Sequence, residues 1–174
     1  MILLVLASWI ILPFLTRAQV GPVPTNVPVN IVDFQRNVFD LVNGQPNSPV
    51  QGLDHRVNAT AQQWVIVRVG TDPVGNQLFN VFNPTSKAFL SYATAASGGN
   101  PLCNQLFGYS NEPTVWIISP GNTGWGIIEP NSSTIVTTWP RIGPSPSNLG
   151  FSTPLTVQNF LDVAEQLFTF PAWS

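Results

Sequence analysis

Apolar runs of strand length alternate with polar turns along residues 29–174, and the alternation repeats three times. The first unit opens with VNIVDFQRNVFDLV, the second with LFNVFNPTSKAFLSY and the third with WGIIEPNSSTIVTTW. Each is a short apolar run, a few polar residues, then a second apolar run, which predicts a β-hairpin. A loop of Gly, Pro, Asn and Ser follows, as in NGQPNSPVQG, ATAASGGNPL and PRIGPSPSNLGFSTPL. Each unit closes on a strand led by an aromatic residue. Gln62-Gln63-Trp64 runs into Val65-Ile66-Val67, Thr114-Val115-Trp116 into Ile117-Ile118, and Gln166-Leu167-Phe168 into Thr169-Phe170. The aromatics at 64, 116 and 168 are evenly spaced, which marks an internal repeat.

Four strands per unit predict about twelve short strands in all. The one stretch with a helical pattern, Val157 to Gln166, is short enough to be a turn or a 3₁₀ segment. Seventeen prolines and thirteen glycines, dispersed between the apolar runs, agree with an all-β chain of many turns. Units of about 29–75, 76–122 and 123–174 are each too small to bury a face alone. A single domain of three pseudo-repeats, closed on itself, would bury all three and remove exposed strand edges. Residues 19–28, QVGPVPTNVP, form a Pro-rich leader without periodicity.

Composition narrows the function. Of 174 residues, 44% are hydrophobic and only 8% charged, with a formal net charge of −2. Lys87 is the only lysine, so the clustered cations that bind phosphate backbones are missing and nucleic acid is excluded as a partner. Ile2 to Leu15 is an apolar run too short for a span of roughly 20 residues. With small residues at Thr16 and Ala18 it reads as a secretory signal over residues 1–18, the alternative being an uncleaved anchor. After cleavage no membrane segment is expected. The sequons at Asn58 and Asn131 fit a secreted glycoprotein, whereas Asn83-Pro84-Thr85 is blocked by its proline. Cys103 is the only cysteine, which excludes an internal disulfide, and it is expected as a small buried residue.

No catalytic constellation emerges. His55 is the only histidine and lies in the polar stretch GLDHRVN, so neither a Ser–His pair nor a His/Cys metal site is suggested. The acidic residues are scattered, with no pair pointing to glycoside hydrolysis. GTDPVGN lacks the lysine and the spacing of a phosphate loop. The expectation is a protein that is not an enzyme, with no cofactor and no metal.

The motif residues Gln62-Gln63-Trp64, Thr114-Val115-Trp116 and Gln166-Leu167-Phe168, with VFDLVNGQPNSPVQG at 38–52, resemble the ricin-B-type lectins. The likeness is to the Gln-x-Trp β-trefoils, especially their secreted fungal members, and spans about Val29 to Trp173. It implies a six-stranded barrel with a hairpin cap and one sugar pocket per unit. It also implies a structural role for Gln62, Trp64, Trp116, Gln166 and Phe168.

The resemblance places the sugar contacts elsewhere. Asp40 stands where a carboxylate would accept bonds from two adjacent hydroxyls, and Gln51 at the following polar position. Leu53 replaces the stacking ring and Ala61 the completing Asn, so the first pocket is partly eroded. Ser91 and Thr137 replace the carboxylate in the other two units. Tyr92, Phe107, Tyr109 and Trp139 lie nearby and either line altered pockets or pack loops. The implied partners are galactoside-like glycans. The alternatives are a protein-binding trefoil, such as a secreted protease inhibitor acting through the loops at 93–101 or 140–154, and a structural protein without a sugar site.

Overall fold

A computed structural model of the chain describes residues 21–92, 95, 100–111, 113–132, 134–140 and 152–174. The expected signal at 1–18 lies outside these residues, as do most of the loops at 93–101 and 140–154.

The apolar runs form eleven strands among the described residues. The first unit holds β1 (Pro28–Val29), β2 (Val38–Leu41), β3 (Ser48–Leu53) and β4 (Trp64–Thr71). The second holds β5 (Gln77–Asn83), β6 (Ala88–Tyr92), β7 (Leu106–Tyr109) and β8 (Trp116–Pro120). The third holds β9 (Trp125–Glu129), β10 (Thr134–Thr138) and β11 (Thr153–Asn159). Its fourth segment, around Phe168, pairs only through isolated bridges.

Threefold pseudosymmetry is visible in the pairing. Val29 opposes Trp64, Phe79 opposes Trp116, and Trp125 opposes Phe168. The hairpins β4–β5 and β8–β9 link successive units. Bridges from Val32 to Thr169 and from Val29 to Ala172 close the ring. The other hairpins, β2–β3, β6–β7 and β10–β11, form the cap. Ser48 pairs with Gly108, Gln105 with Thr156 and Thr153 with Gly52, so the cap closes as a triangle. Space is tight at its corners: a Cβ on Gly108 would lie 2.6 Å from the Leu41 side chain. The expected β-trefoil, an all-β fold of three pseudo-repeats, is the fold observed.

The repeated aromatics fill the barrel. Trp64, Trp116 and Phe168 are wholly buried beside Ile31, Phe79 and Ile127. The indole N–H of Trp64 donates to the Phe39 carbonyl at 3.0 Å, and that of Trp116 to the Leu90 carbonyl at 3.0 Å. Phe168 has no donor and instead meets the Phe39 ring edge-on, 5.1 Å between centroids. Burial of each such side chain contributes roughly 1.5–3 kcal/mol, and the indole bonds keep two enclosed carbonyls satisfied.

Acids and amides fold the turns. Asp33 Oδ1 accepts the N–H groups of Gln35 and Asn37, both at 2.8 Å, while Asn37 Nδ2 donates to Oδ2. Asp72 holds Val74 and Asn76 in the same way. At the positions that match Asp33 in the other units, Asn83 and Glu129 cap their own hairpins.

Three local features differ from the sequence reading or sharpen it. The end of the leader belongs to the barrel, because Pro28 pairs with Val65 and Asn26 N–H donates to Ile66. The stretch at 157–166 is the end of β11 followed by a 3₁₀ turn, Ala164–Gln166. Cys103, expected buried, is exposed. Its backbone has φ +64° and its N–H is tied to the Val157 carbonyl at 2.7 Å, which turns the thiol outward, 3.8 Å from Gln158 Oε1. Among the described residues no helix is long and apolar enough to cross a membrane.

Candidate functional site

Side chains two apart on a strand share a face, and cross-strand partners stand side by side. Asp40 on β2 is paired with Gln51 on β3, so the two residues singled out from the sequence are neighbours. They line a cleft of about 880 Å³ together with Asn43, Leu53, Arg56 and Ala61. Leu53 and Ala61, the positions where a ring and an Asn are missing, therefore border the same cleft.

Arg56 is the residue the sequence reading missed. Its Nη2 forms an ion pair with Asp40 Oδ2. Asp40 is only 2% exposed whereas the Arg56 side chain is 54% exposed, so the guanidinium covers a sunken carboxylate. Asp40 Oδ1 has no hydrogen-bond partner among the described residues, and neither has the Gln51 amide.

The turn that carries Arg56 is fixed by Gln62. Gln62 Oε1 accepts the Arg56 N–H at 2.9 Å, and Gln62 Nε2 donates to the Asp54 carbonyl at 2.9 Å. Gln166 clamps the matching turn of the third unit, accepting from Leu161 N–H at 2.8 Å and donating to the Asn159 carbonyl at 2.7 Å. Leu161 thus takes the place of Arg56 there, and no charge reaches the strand. The signal for Arg56 was its position, a rare cation inside the loop that the motif glutamine must hold.

The other two units lack an acid at the position of Asp40. Ser91 is wholly buried and hydrogen-bonded to Thr114 Oγ1, the residue in place of the motif glutamine. Thr137 receives Gln166 Nε2 at 3.2 Å and donates to the Ile135 carbonyl. Both hydroxyls are used internally. The second unit does keep a ring where the first has Leu53. Tyr109 is paired with Phe89 and stacks on Phe107 at 5.7 Å. Trp139 is 43% exposed and donates from Nε1 to Thr156 Oγ1 at 2.8 Å. Tyr92 is buried and lines a different pocket.

The sequon residues lie at the two pocket rims. Asn58 borders the first cleft, and Asn131 borders the pocket of Tyr92. His55 is exposed, its ring 3.4 Å from Ser174 Oγ. Among the described residues no group of three or more His, Cys, Asp or Glu is placed to hold a metal ion.

No protein-family model and no curated sequence matches the chain. Solved structures do. The Rhizoctonia solani agglutinin superposes with a TM-score of 0.69 at 16% identity, over 87% of this chain and 98% of that one. The Macrolepiota procera ricin B-like lectin, solved in complex with lactose, gives 0.66 at 17% identity, over 87% and 99%. The designed threefold-symmetric protein ThreeFoil gives 0.63 at 12% identity, over 82% and 96%. The resemblance to ricin-B-type lectins holds at the level of fold.

Proposed function

We propose that the protein is a secreted, non-catalytic carbohydrate-binding protein whose sugar site is the cleft of the first unit. The observation that carries this reading is the grouping of Asp40, Arg56 and Gln51. Asp40 Oδ1 accepts, the Arg56 guanidinium donates, and the Gln51 amide does both. Adjacent sugar hydroxyls need that alternation of donors and acceptors. A galactoside-like glycan is the proposed ligand class. The lactose complex of the Macrolepiota procera lectin supports the class, since that protein shares the fold.

With Leu53 in place of an aromatic ring, the apolar face of the sugar gains little stacking. Affinity in the millimolar range, on the order of −4 kcal/mol, is expected. Titration of the protein made without its first 18 residues with lactose tests the proposal. Saturable binding that Asp40→Asn weakens at least tenfold supports it. Absence of binding across a broad glycan array would sink it.

A further inference from the structure

A second pocket, of about 500 Å³, lies where the second and third units meet. Tyr92 at the end of β6, Pro101 and Leu102, Glu129 at the end of β9, Asn131, and Asn159 at the end of β11 line it. Its size falls within the roughly 300–1,000 Å³ of small-ligand sites.

Pseudosymmetry supplies internal controls. Tyr92 matches Thr138 and Leu41, and Glu129 matches Asp33 and Asn83. At the corner between the third and first units, Thr138 Oγ1 donates to Asp33 Oδ2 at 2.9 Å, and the corner is sealed. Leu41, at the next corner, offers no polar group. Only at the corner of Tyr92 do a hydroxyl and a carboxylate share one pocket without bonding to each other.

The Tyr92 hydroxyl has no hydrogen-bond partner among the described residues, although the residue is only 7% exposed. Its ring is held edge-on against Trp116, 6.2 Å between centroids. Desolvation, and then the charge of Glu129, push its pKa above the usual tyrosine value, so it stays protonated as a donor. The ring is enclosed while the hydroxyl opens onto the pocket, where a ligand can accept its hydrogen bond.

Glu129 determines which ligand chemistry fits. Its Oε2 accepts Asn131 N–H at 3.0 Å, Ser132 N–H at 2.7 Å and Ser132 Oγ at 2.6 Å. Oε1 accepts only Asn131 Nδ2, at 3.1 Å, and keeps acceptor capacity. Four donors already offset the charge, so a cation is not required, and the carboxylate repels anions. A hydroxyl group can accept from Tyr92 while another donates to Glu129. Pro101 and Leu102 add apolar contact for C–H groups.

We infer that this pocket is a second binding site, for a neutral hydroxyl-rich ligand of monosaccharide size held between Tyr92 and Glu129. It uses none of the residues of the Asp40 cleft and stands independently of it.

The test is NMR titration of ¹⁵N-labelled protein made without N-glycosylation, because Asn131 begins a sequon. Galactose, glucose, mannose and N-acetylglucosamine are the probes. Saturable shifts at Leu102, Asn131 and Ser132 are expected with at least one of them. Tyr92→Phe, which keeps the ring, should weaken that binding by about fivefold or more. Asn159→Ala should weaken it too, while Asp40→Asn should leave it unchanged. No saturable shift at these amides, or shifts with unaltered affinity in Tyr92→Phe, would overturn the inference. Lactose binding that depends on Asp40, with silence at this pocket, would overturn this site and leave the first standing.

Discussion

Arg36 and Gly75 occupy the same position of the same turn. Each donates its N–H to the carbonyl of an aspartate three residues earlier, Asp33 at 3.0 Å and Asp72 at 3.1 Å. Each has positive φ, +68° for Arg36 and +98° for Gly75. An L side chain in the left-handed region costs roughly 1–2 kcal/mol, which glycine avoids. Arg36 is exposed and lies in the strained copy of the turn.

Arg36→Gly is therefore expected to stabilise the protein by about 0.5–1 kcal/mol after glycine's entropy is counted. Gly75→Ala should destabilise by a similar amount, and only through the backbone, because no atom lies within 4 Å of the added Cβ. Thermal unfolding of the two variants checks both signs. A lower Tm for Arg36→Gly would show that the arginine side chain contributes something the turn geometry does not reveal.

Gln62 and Gln166 make the same two backbone bonds, but only the first clamps the turn that holds Arg56. Gln62→Ala and Gln166→Ala should each cost about 2–4 kcal/mol in denaturant unfolding, since each leaves enclosed backbone groups unpaired. Only Gln62→Ala should also weaken lactose binding. Equal loss of affinity in both variants would mean that general loosening of the fold, not placement of Arg56, was being measured.

This pair also shows how far the sequence could be read. The barrel was legible because a large aromatic recurs at 64, 116 and 168, and a buried ring tolerates few replacements. Asp40 and Gln51 were legible because their strands are consecutive, so their pairing needs only hairpin register. Arg56 was not, because its contact with Asp40 depends on a turn shaped by a side chain further along the chain. Tyr92 and Glu129 come together only through packing between units, which no local pattern encodes. Cys103 was misjudged because residue type suggests burial while the positive φ of its turn directs the thiol outward.

Asp40 and Arg56 should be coupled. Arg56→Ala leaves a buried carboxylate without its counter-charge, and a loss of about 1 kcal/mol is expected, limited by the half-exposed position of the guanidinium. Asp40→Asn combined with Arg56→Ala should recover part of that loss. A double-mutant cycle in urea measures the coupling. Strict additivity would show that the pair contributes nothing to stability.

Asp72 gives a pH prediction. Desolvation raises its pKa, but hydrogen bonds from the Asn76 side chain and from the N–H groups of Asn76, Val74 and Gly75 outweigh it, and the net direction is downward from 3.8. A depressed folded-state pKa means stability that is fully present above 3.8 and is lost as pH falls through the lower folded value. Asp72→Asn should flatten that acidic limb of the stability curve and leave the neutral region parallel to wild type. An unchanged acid limb would assign the loss to other carboxylates.

The seam between Val29 or Val32 and residues 169–172 has a consequence for biosynthesis. The strand that begins the barrel waits for partners far along the chain, and the Trp125–Phe168 bridge waits with it. A ribosome releasing the chain from its amino end produces hairpins early but cannot complete the ring until residues 168–172 have emerged. Closure of the barrel therefore depends on residues 168–172, and a chain stopped before Phe168 would carry an open, unsealed barrel.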